Sequence, residues 1–597
     1  MRALLLVACA VLASSRVLAE STDLTEEAKS FVNRAESELS ANEDLGNRAD
    51  WVRATHITPD TDWLSERLEA DRTALAVSLA KDAEKFDGKV SDSVVARKLI
   101  ILKRLARLPA AAAPGAAMEL AEVSGRLSTR YATGSFMLNG KRYSLKDAEL
   151  SLAKVRDPRE SAAIWEGWRS ITPPMREDYA RMVSLANAGA RELGFEDVGA
   201  MWRSEYDMAP DAFERQIEKL WGQVAPLYDE LHCYVRQKLN GRFGDSVQPA
   251  SGAIRADLTG NMWGQNWSEM WDILAPADWA SGFDLEEALR GQGYVPRKMV
   301  QAAEGFYTSL GLQPLPATFW ERSQFTRPEG REVDCNSSAW TLDQRNDVRV
   351  KLCLQVTASE WPVVHHELGH DYYQLAYQGQ PFLFREGANN GFHEAIGDFI
   401  ALSALTPGYL KRLGLEPADF PEDQGDLPFL LHQALGRIPL LPFALAMDEW
   451  RWGVFSGKIR PADYNSAWWS LVERHQRLRP PGPRPEHAFD VAAKYHITDN
   501  VPYMSYFMAT VYLYQFQRAA CRMAHVQGPL HRCSIYGSKE AGAMLSKMLA
   551  SGRSVPTGQT LALFTGENEA DATAMLEYYA PLYRWLKQQN HAKRCTP

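Results

Sequence analysis

Basic charge is in short supply. Lys and Arg number 66 against 75 Asp and Glu, a formal charge of -9 over 597 residues. It becomes -11 once Arg2 and Arg16 leave with the leader read below. That balance argues against nucleic acid or anionic lipid as a partner. After the first 19 residues no stretch reaches the roughly 18 apolar residues of a membrane span, so a soluble mature chain without a membrane anchor is expected. Internal repeats and low-complexity segments are absent, and the breaks at 109–115, 247–252 and 480–485 are too short for domain linkers. Alternating, β-branched runs are few. A hydrophobic content of 45% excludes disorder, collagen and coiled coil and allows a large core.

What is present begins with a leader. Met1 and Arg2, an apolar run from Ala3 to Ala13, and Val17-Leu18-Ala19 form a signal peptide over residues 1–19. Leu6-Val7-Ala8-Cys9 also has the look of a lipoprotein box, but the apolar stretch before it is too short. Residues 20–597 read as one catalytic domain, secreted or periplasmic. The remaining cysteines suit an oxidising compartment. Their spacing favours Cys335 with Cys353 and Cys521 with Cys533, although spacing alone does not fix connectivity. Cys233 and Cys595 pair or stay free. Helical periodicity from Leu24 to Leu39, with Asp23 and Glu26 placed as a capping pair, recurs over 93–108, 211–239 and 501–524. The fold class is mainly α.

The chemistry lies near the middle of the chain. Ser359 through Tyr373 carries a capping serine, an early proline, and then His366-Glu367-Leu368-Gly369-His370. Imidazoles four residues apart on a helix project from one face and grip one ion, with Glu367 beside the open position. So short a pattern arises by chance in roughly one chain of this length in fifty, so context must support it. The context is a second apolar helix bearing Glu394 and, one turn on, Asp398. Carboxylates on an apolar helix need partners. Glu394 as third zinc ligand and Asp398 as hydrogen-bond acceptor for a ligating imidazole supply them, the alternative being an ordinary salt bridge. His365 and His393 lack ligand spacing and read as structural or supporting. A single zinc ion there would acidify water, with Glu367 as proton acceptor and then donor to the leaving nitrogen.

These motifs, with Arg385 to Asn389, Trp450 to Gly457 and Gly528 to His531, resemble the angiotensin-converting-enzyme family over nearly the whole mature chain. The resemblance implies a two-lobed helical body around a deep central cleft, with a small β element lining the site. The implied activity is release of C-terminal dipeptides from oligopeptides with a free C-terminus. It also implies that Gln265, Lys494 and Tyr503 hold the substrate's terminal carboxylate, a charge-assisted anchor that sets product length. Tyr506 would donate to the developing oxyanion and His496 would bind substrate backbone. Ser337, Ser338, Ala339 and Trp340 resemble an edge strand that pairs with an extended peptide. The disulfide pairs Cys335–Cys353 and Cys521–Cys533 fall on family disulfides.

Departures from the family pattern are specific. Asn336 stands where a second backbone-binding histidine is expected, giving a shorter donor that does not titrate. Ser505 and Val472 replace arginines that hold activating chloride, so little chloride activation is expected. Other readings are a single-residue carboxypeptidase or endopeptidase, and a noncatalytic zinc-binding protein of the same fold. Gln265 favours dipeptide release, and Glu367 argues against a noncatalytic role.

Overall fold

The computed structural model describes residues 2–277, 279, 283–417 and 425–591, with side chains described from Leu24 onward. The proposed leader, Cys9 and Cys595 fall outside the described side chains.

The N-terminal helix runs Arg2–Thr55, so Asp23 lies within it rather than capping it. Thr58 and Thr61 form a reciprocal capping box ahead of Pro59–Glu84, with Pro59 in the first turn. Asp92 caps Ser93–Lys103 by accepting from the amides of Val94 and Val95. These three helices bury a small core of their own, with Phe31, Val32, Leu79, Phe86 and Leu99 packed against Leu383 and Phe384. One carboxylate stitches this cap to the main body: Glu36 pairs with Lys98 at 2.7 Å and accepts from the Leu383 amide at 3.0 Å.

The rest of the chain encloses one large apolar core. At its centre lie the motif helix Glu360–Tyr377, the acid helix Asn390–Ser403 and the helix Met504–Met523. Glycines permit their close crossings. A Cβ on Gly369 would stand 2.8 Å from the Gly397 Cα, and one on Gly397 would stand 2.7 Å from the His366 Nδ1. A Cβ on Gly391 would lie 3.0 Å from the Ser505 carbonyl oxygen. Any side chain at these points would push the helices, and whatever they carry, apart.

Sheet is minor. The antiparallel pair Ser338–Thr341 and Val348–Lys351, in register Ser338 with Lys351 and Ala339 with Val350, packs against the motif helix. Cys335–Cys353 closes the base of this ribbon, and Cys521–Cys533 ties the helix Met504–Met523 to the following turn. Cys233 is disulfide-bonded, so the free-thiol alternative does not hold for it. Such bonds persist in an oxidising compartment.

Among the described residues, the apolar content expected only at the leader occurs once more. Asp426–Phe455 is long and apolar enough to cross a membrane, with a mean hydropathy of 1.3. It comprises two helices, Asp426–Arg437 and Leu440–Phe455, and 67% of the apolar window is buried inside the protein. Core packing explains that composition.

Candidate metal centre

Thr357, not Ser359, caps the motif helix, its hydroxyl accepting from the Glu360 amide at 3.3 Å. Ser359 makes no capping bond to the backbone. Within the helix, His365 is fully buried, bonds the Trp361 carbonyl at 2.8 Å, and is driven to about 4 by burial. It is a neutral packing residue. His366 and His370 face the other way, with their Nε2 atoms 3.0 Å apart. Glu394 brings its carboxylate to 3.6 Å from His366 Nε2, and donor atoms of the three residues lie within 4.8 Å of one another. This set of two imidazoles and one carboxylate is the donor chemistry that suits zinc with a corner left open.

Both histidine candidates are braced from behind. Asp398 meets His366 Nδ1 at 3.1 Å and is itself held by Arg437 at 2.6 Å. Burial opposes the Asp398 charge, but Arg437 and His366 hold its carboxyl far below the usual range. A carboxylate on Nδ1 turns Nε2 of the ring toward the ion site. Behind His370, His393 stands with its Nδ1 3.4 Å from His370 Nδ1 and its Nε2 3.1 Å from Glu386. Burial opposes the Glu386 charge as well, yet His393 and Arg553 bring its carboxyl down to about 2. Arg437 and Glu386 escaped sequence reasoning. Nothing in the sequence marks Arg437, whereas Glu386 sat within a quoted motif without an assigned role.

Glu367 is 7% exposed, and its Oε2 has no hydrogen-bond partner. Burial and the neighbouring Glu394 raise it to about 7, against the pull of His366. Such a carboxyl can take and return a proton near neutral pH. Asp371, one residue past His370, is fully buried with neither carboxyl oxygen hydrogen-bonded. Burial raises it well above the ordinary carboxyl range, so it is held neutral in the core.

A family model described as angiotensin-converting enzyme matches residues 22–596. The chain belongs to this family. It is 38% identical to the angiotensin-converting enzyme of Rattus norvegicus over 551 residues, covering 91% of this chain but 42% of that protein. The enzyme of the same name from Theromyzon tessulatum is 40% identical, covering 76% of this chain and 73% of that protein. The one from Haematobia irritans exigua is 35% identical, covering 94% and 93%. The chain therefore spans about two fifths of the length of the mammalian relatives.

For a member of the angiotensin-converting-enzyme family, the positions flanking the metal site are informative. Gln265, Lys494 and Tyr503 meet one another. Tyr503 donates its hydroxyl to Gln265 Oε1 at 2.9 Å, and the Lys494 Nζ lies 3.6 Å from the Trp263 ring centroid. Lys494 is 7% exposed, and burial lowers it to about 7, with Glu149 opposing. Tyr506 stands 3.4 Å from His496 Nε2, and burial raises its phenol, keeping it a proton donor. Burial and the charge of Lys494 push His496 down to about 2, so its ring is neutral.

The loop carrying these residues is pinned by a fully buried ion pair, Asp448 with Arg451. Arg451 donates to the carbonyls of His496 (2.9 Å) and Val501 (2.6 Å), while Asp448 accepts from the amides of Tyr503 (2.9 Å) and Met504 (2.6 Å). A charge pair that satisfies four backbone groups fixes a loop in a way no apolar pair could.

Ser337 precedes the edge strand and Ala339 lies within it, both partly exposed. Asn336 is exposed, and its side-chain amide donates to Asp334 at 2.9 Å. Beneath it, Lys351 is 1% exposed and donates to the carbonyls of Asp334 (2.7 Å) and Asn336 (2.6 Å), holding the strand's start. Lys351 carried no sequence signal beyond its place in a short strand. The Ser505 hydroxyl donates to the Pro502 carbonyl at 3.2 Å, and Val472 is 3% exposed.

Proposed function

We propose that this chain is a secreted, zinc-dependent peptidyl-dipeptidase that removes dipeptides from the free C-terminus of oligopeptides. The supporting observation is the convergence of His366, His370 and Glu394 within 4.8 Å, beside a base with an unpartnered oxygen. Zinc, when bound, supplies a Lewis acid that polarises the peptide carbonyl and acidifies water. His366, His370 and Glu394 hold it, and Asp398 fixes the tautomer of His366.

The remaining steps belong to protein side chains. Lys494, Gln265 and Tyr503 bind the terminal carboxylate, setting a fixed reach to the scissile bond. Ser337 and Ala339 offer backbone groups of the edge strand to an extended peptide, and Asn336 borders them. Glu367 takes a proton from the attacking water and returns it to the leaving amine. Tyr506 donates to the carbonyl oxygen as negative charge gathers there, and the neutral His496 ring beside it binds substrate backbone. With Ser505 and Val472 in place of cations, chloride should activate the enzyme little. The leader at residues 1–19 directs export, with a bacterial periplasm as the preferred destination.

The test uses the purified protein and a pair of short peptides, one with a free and one with an amidated C-terminus, with and without chelator. Mass analysis should show dipeptide release from the free peptide well ahead of the amidated one, and none from either with chelator. Glu367→Gln should retain zinc and lose activity by about 10²- to 10⁴-fold. Release of single residues, or internal cleavage of both peptides, would refute the assignment.

A further inference from the structure

A cavity of about 410 Å³ opens beside Glu394 and Tyr506. Gln265, Lys494 and Tyr503 do not line it, so it lies away from the carboxylate anchor. Its far wall is the end of the cap helix Ser93–Lys103 and the turn after it, which present Arg97, Arg104 and Arg107. Arg553 also lines the cavity, beside Arg97.

These cations differ in how far they are already neutralised. Arg97 is committed: it holds Asp207 through two bonds of 3.1 and 3.2 Å and donates to the carbonyls of Arg553 (2.6 Å) and Val555 (2.8 Å). Asp207 is committed in turn, since it also accepts from the amide of Thr557 at 2.9 Å. Arg553 donates to the Leu383 carbonyl at 2.7 Å and lies in the field of Glu386.

Arg104 is different. Its nearest approach to Asp207 is 3.7 Å, and its buried Nε has no hydrogen-bond partner. Arg107 makes one long bond, 3.4 Å to the Asp499 carbonyl. Of the other acids on the wall, Glu386 is paired with His393, Glu394 belongs to the ligand set, and Glu205 accepts from Asn390 at 3.0 Å and is raised to about 7 by burial, so it neutralises its surroundings only in part near pH 7. Ser505 puts only a small side chain on the same wall. The cavity therefore combines spent acids with two guanidinium groups that keep donors to spare, next to the side chains that flank the scissile bond.

We propose that this cavity receives the residue one or two positions ahead of the scissile bond, and that Arg104, assisted by Arg107, selects a carboxylate side chain there. A guanidinium with free donors in a half-buried wall binds a carboxylate through charge-assisted bonds that an amide does not match. The inference rests on the peptidyl-dipeptidase reading above.

The test is a series of N-acetylated hexapeptides with free C-termini, differing only in Glu, Gln or Lys at the first or second position ahead of the expected cleavage. At one of these positions kcat/KM should favour Glu over Gln about tenfold, the low end of what a charge-assisted hydrogen bond supplies, with Lys poorest. In Arg104→Gln the ratio of Glu to Gln should fall to within about twofold of unity, while Arg104→Lys retains a severalfold preference. Equal rates for Glu and Gln in the parent protein overturn the proposal without any variant. So does a preference that survives in Arg104→Gln. Failure to release dipeptides from the Gln peptide would instead sink the assigned activity.

Discussion

Lys494 gives the sharpest test of the carboxylate anchor. It is a buried ammonium for which, among the described residues, Glu149 is the one acid whose charge raises its pKa. Burial lowers that pKa to about 7. Only the protonated form attracts an anion, so the competent fraction of free enzyme is about nine tenths at pH 6 and about one eleventh at pH 8. For a peptide with a free C-terminus, kcat/KM should therefore fall about tenfold for each pH unit above 7. A bound carboxylate raises the lysine again, so kcat at saturation should not share that fall. Glu367 titrates in the same range with opposite effect on rate, and the ratio of kcat/KM for free-acid and amidated peptides cancels it. Lys494→Met should cost the free-acid peptide about 1.5–3 kcal/mol, or roughly 10- to 150-fold, and flatten the ratio against pH. If the ratio stays constant from pH 6 to 8.5 in the parent protein, Lys494 does not hold the terminal carboxylate.

Other expectations follow from groups around the metal site. Asp371→Asn should stabilise the fold at pH 8 by on the order of 1–3 kcal/mol. The folded-state pKa of Asp371 is raised, so the wild type loses stability as pH climbs above about 4 and the gap should close below that; urea midpoints at pH 4 and 8 check both. Asp398→Asn should weaken zinc binding about 10- to 100-fold, read by competition with a chelator, and unchanged affinity would remove Asp398 from the support of His366. Chloride added at constant ionic strength should leave the rate within about twofold; a severalfold rise would show that cations other than those expected at 505 and 472 bind it.

The motif helix and the acid helix were legible because their information is local: a repeat of four residues on one helix, and a carboxylate out of place on another. Their meeting depends on Gly369 and Gly397, whose spacing looks unremarkable until both helices are in view. Arg437 and Lys351 were invisible for a related reason. Each acts on a site residue from a distant stretch of chain, and neither belongs to a recognisable pattern. Asp371 carries no mark in the sequence, and only the rotation of the helix about its axis puts it inside. Ser359 failed as a cap because its own backbone is already helical, which leaves Thr357 better placed. The roles at Gln265, Tyr503 and Tyr506 came from family resemblance, since a glutamine and two tyrosines among apolar neighbours carry no spacing that distinguishes an anchor from packing.

The small core shared by the three N-terminal helices has a thermodynamic corollary. An element that buries its own few apolar side chains can open at a fraction of the free energy of global unfolding, once the ties made by Glu36 and Arg97 are broken. Here that element also supplies Arg97, Arg104 and Arg107. The amides of these three helices should exchange with solvent ahead of those in the motif and acid helices.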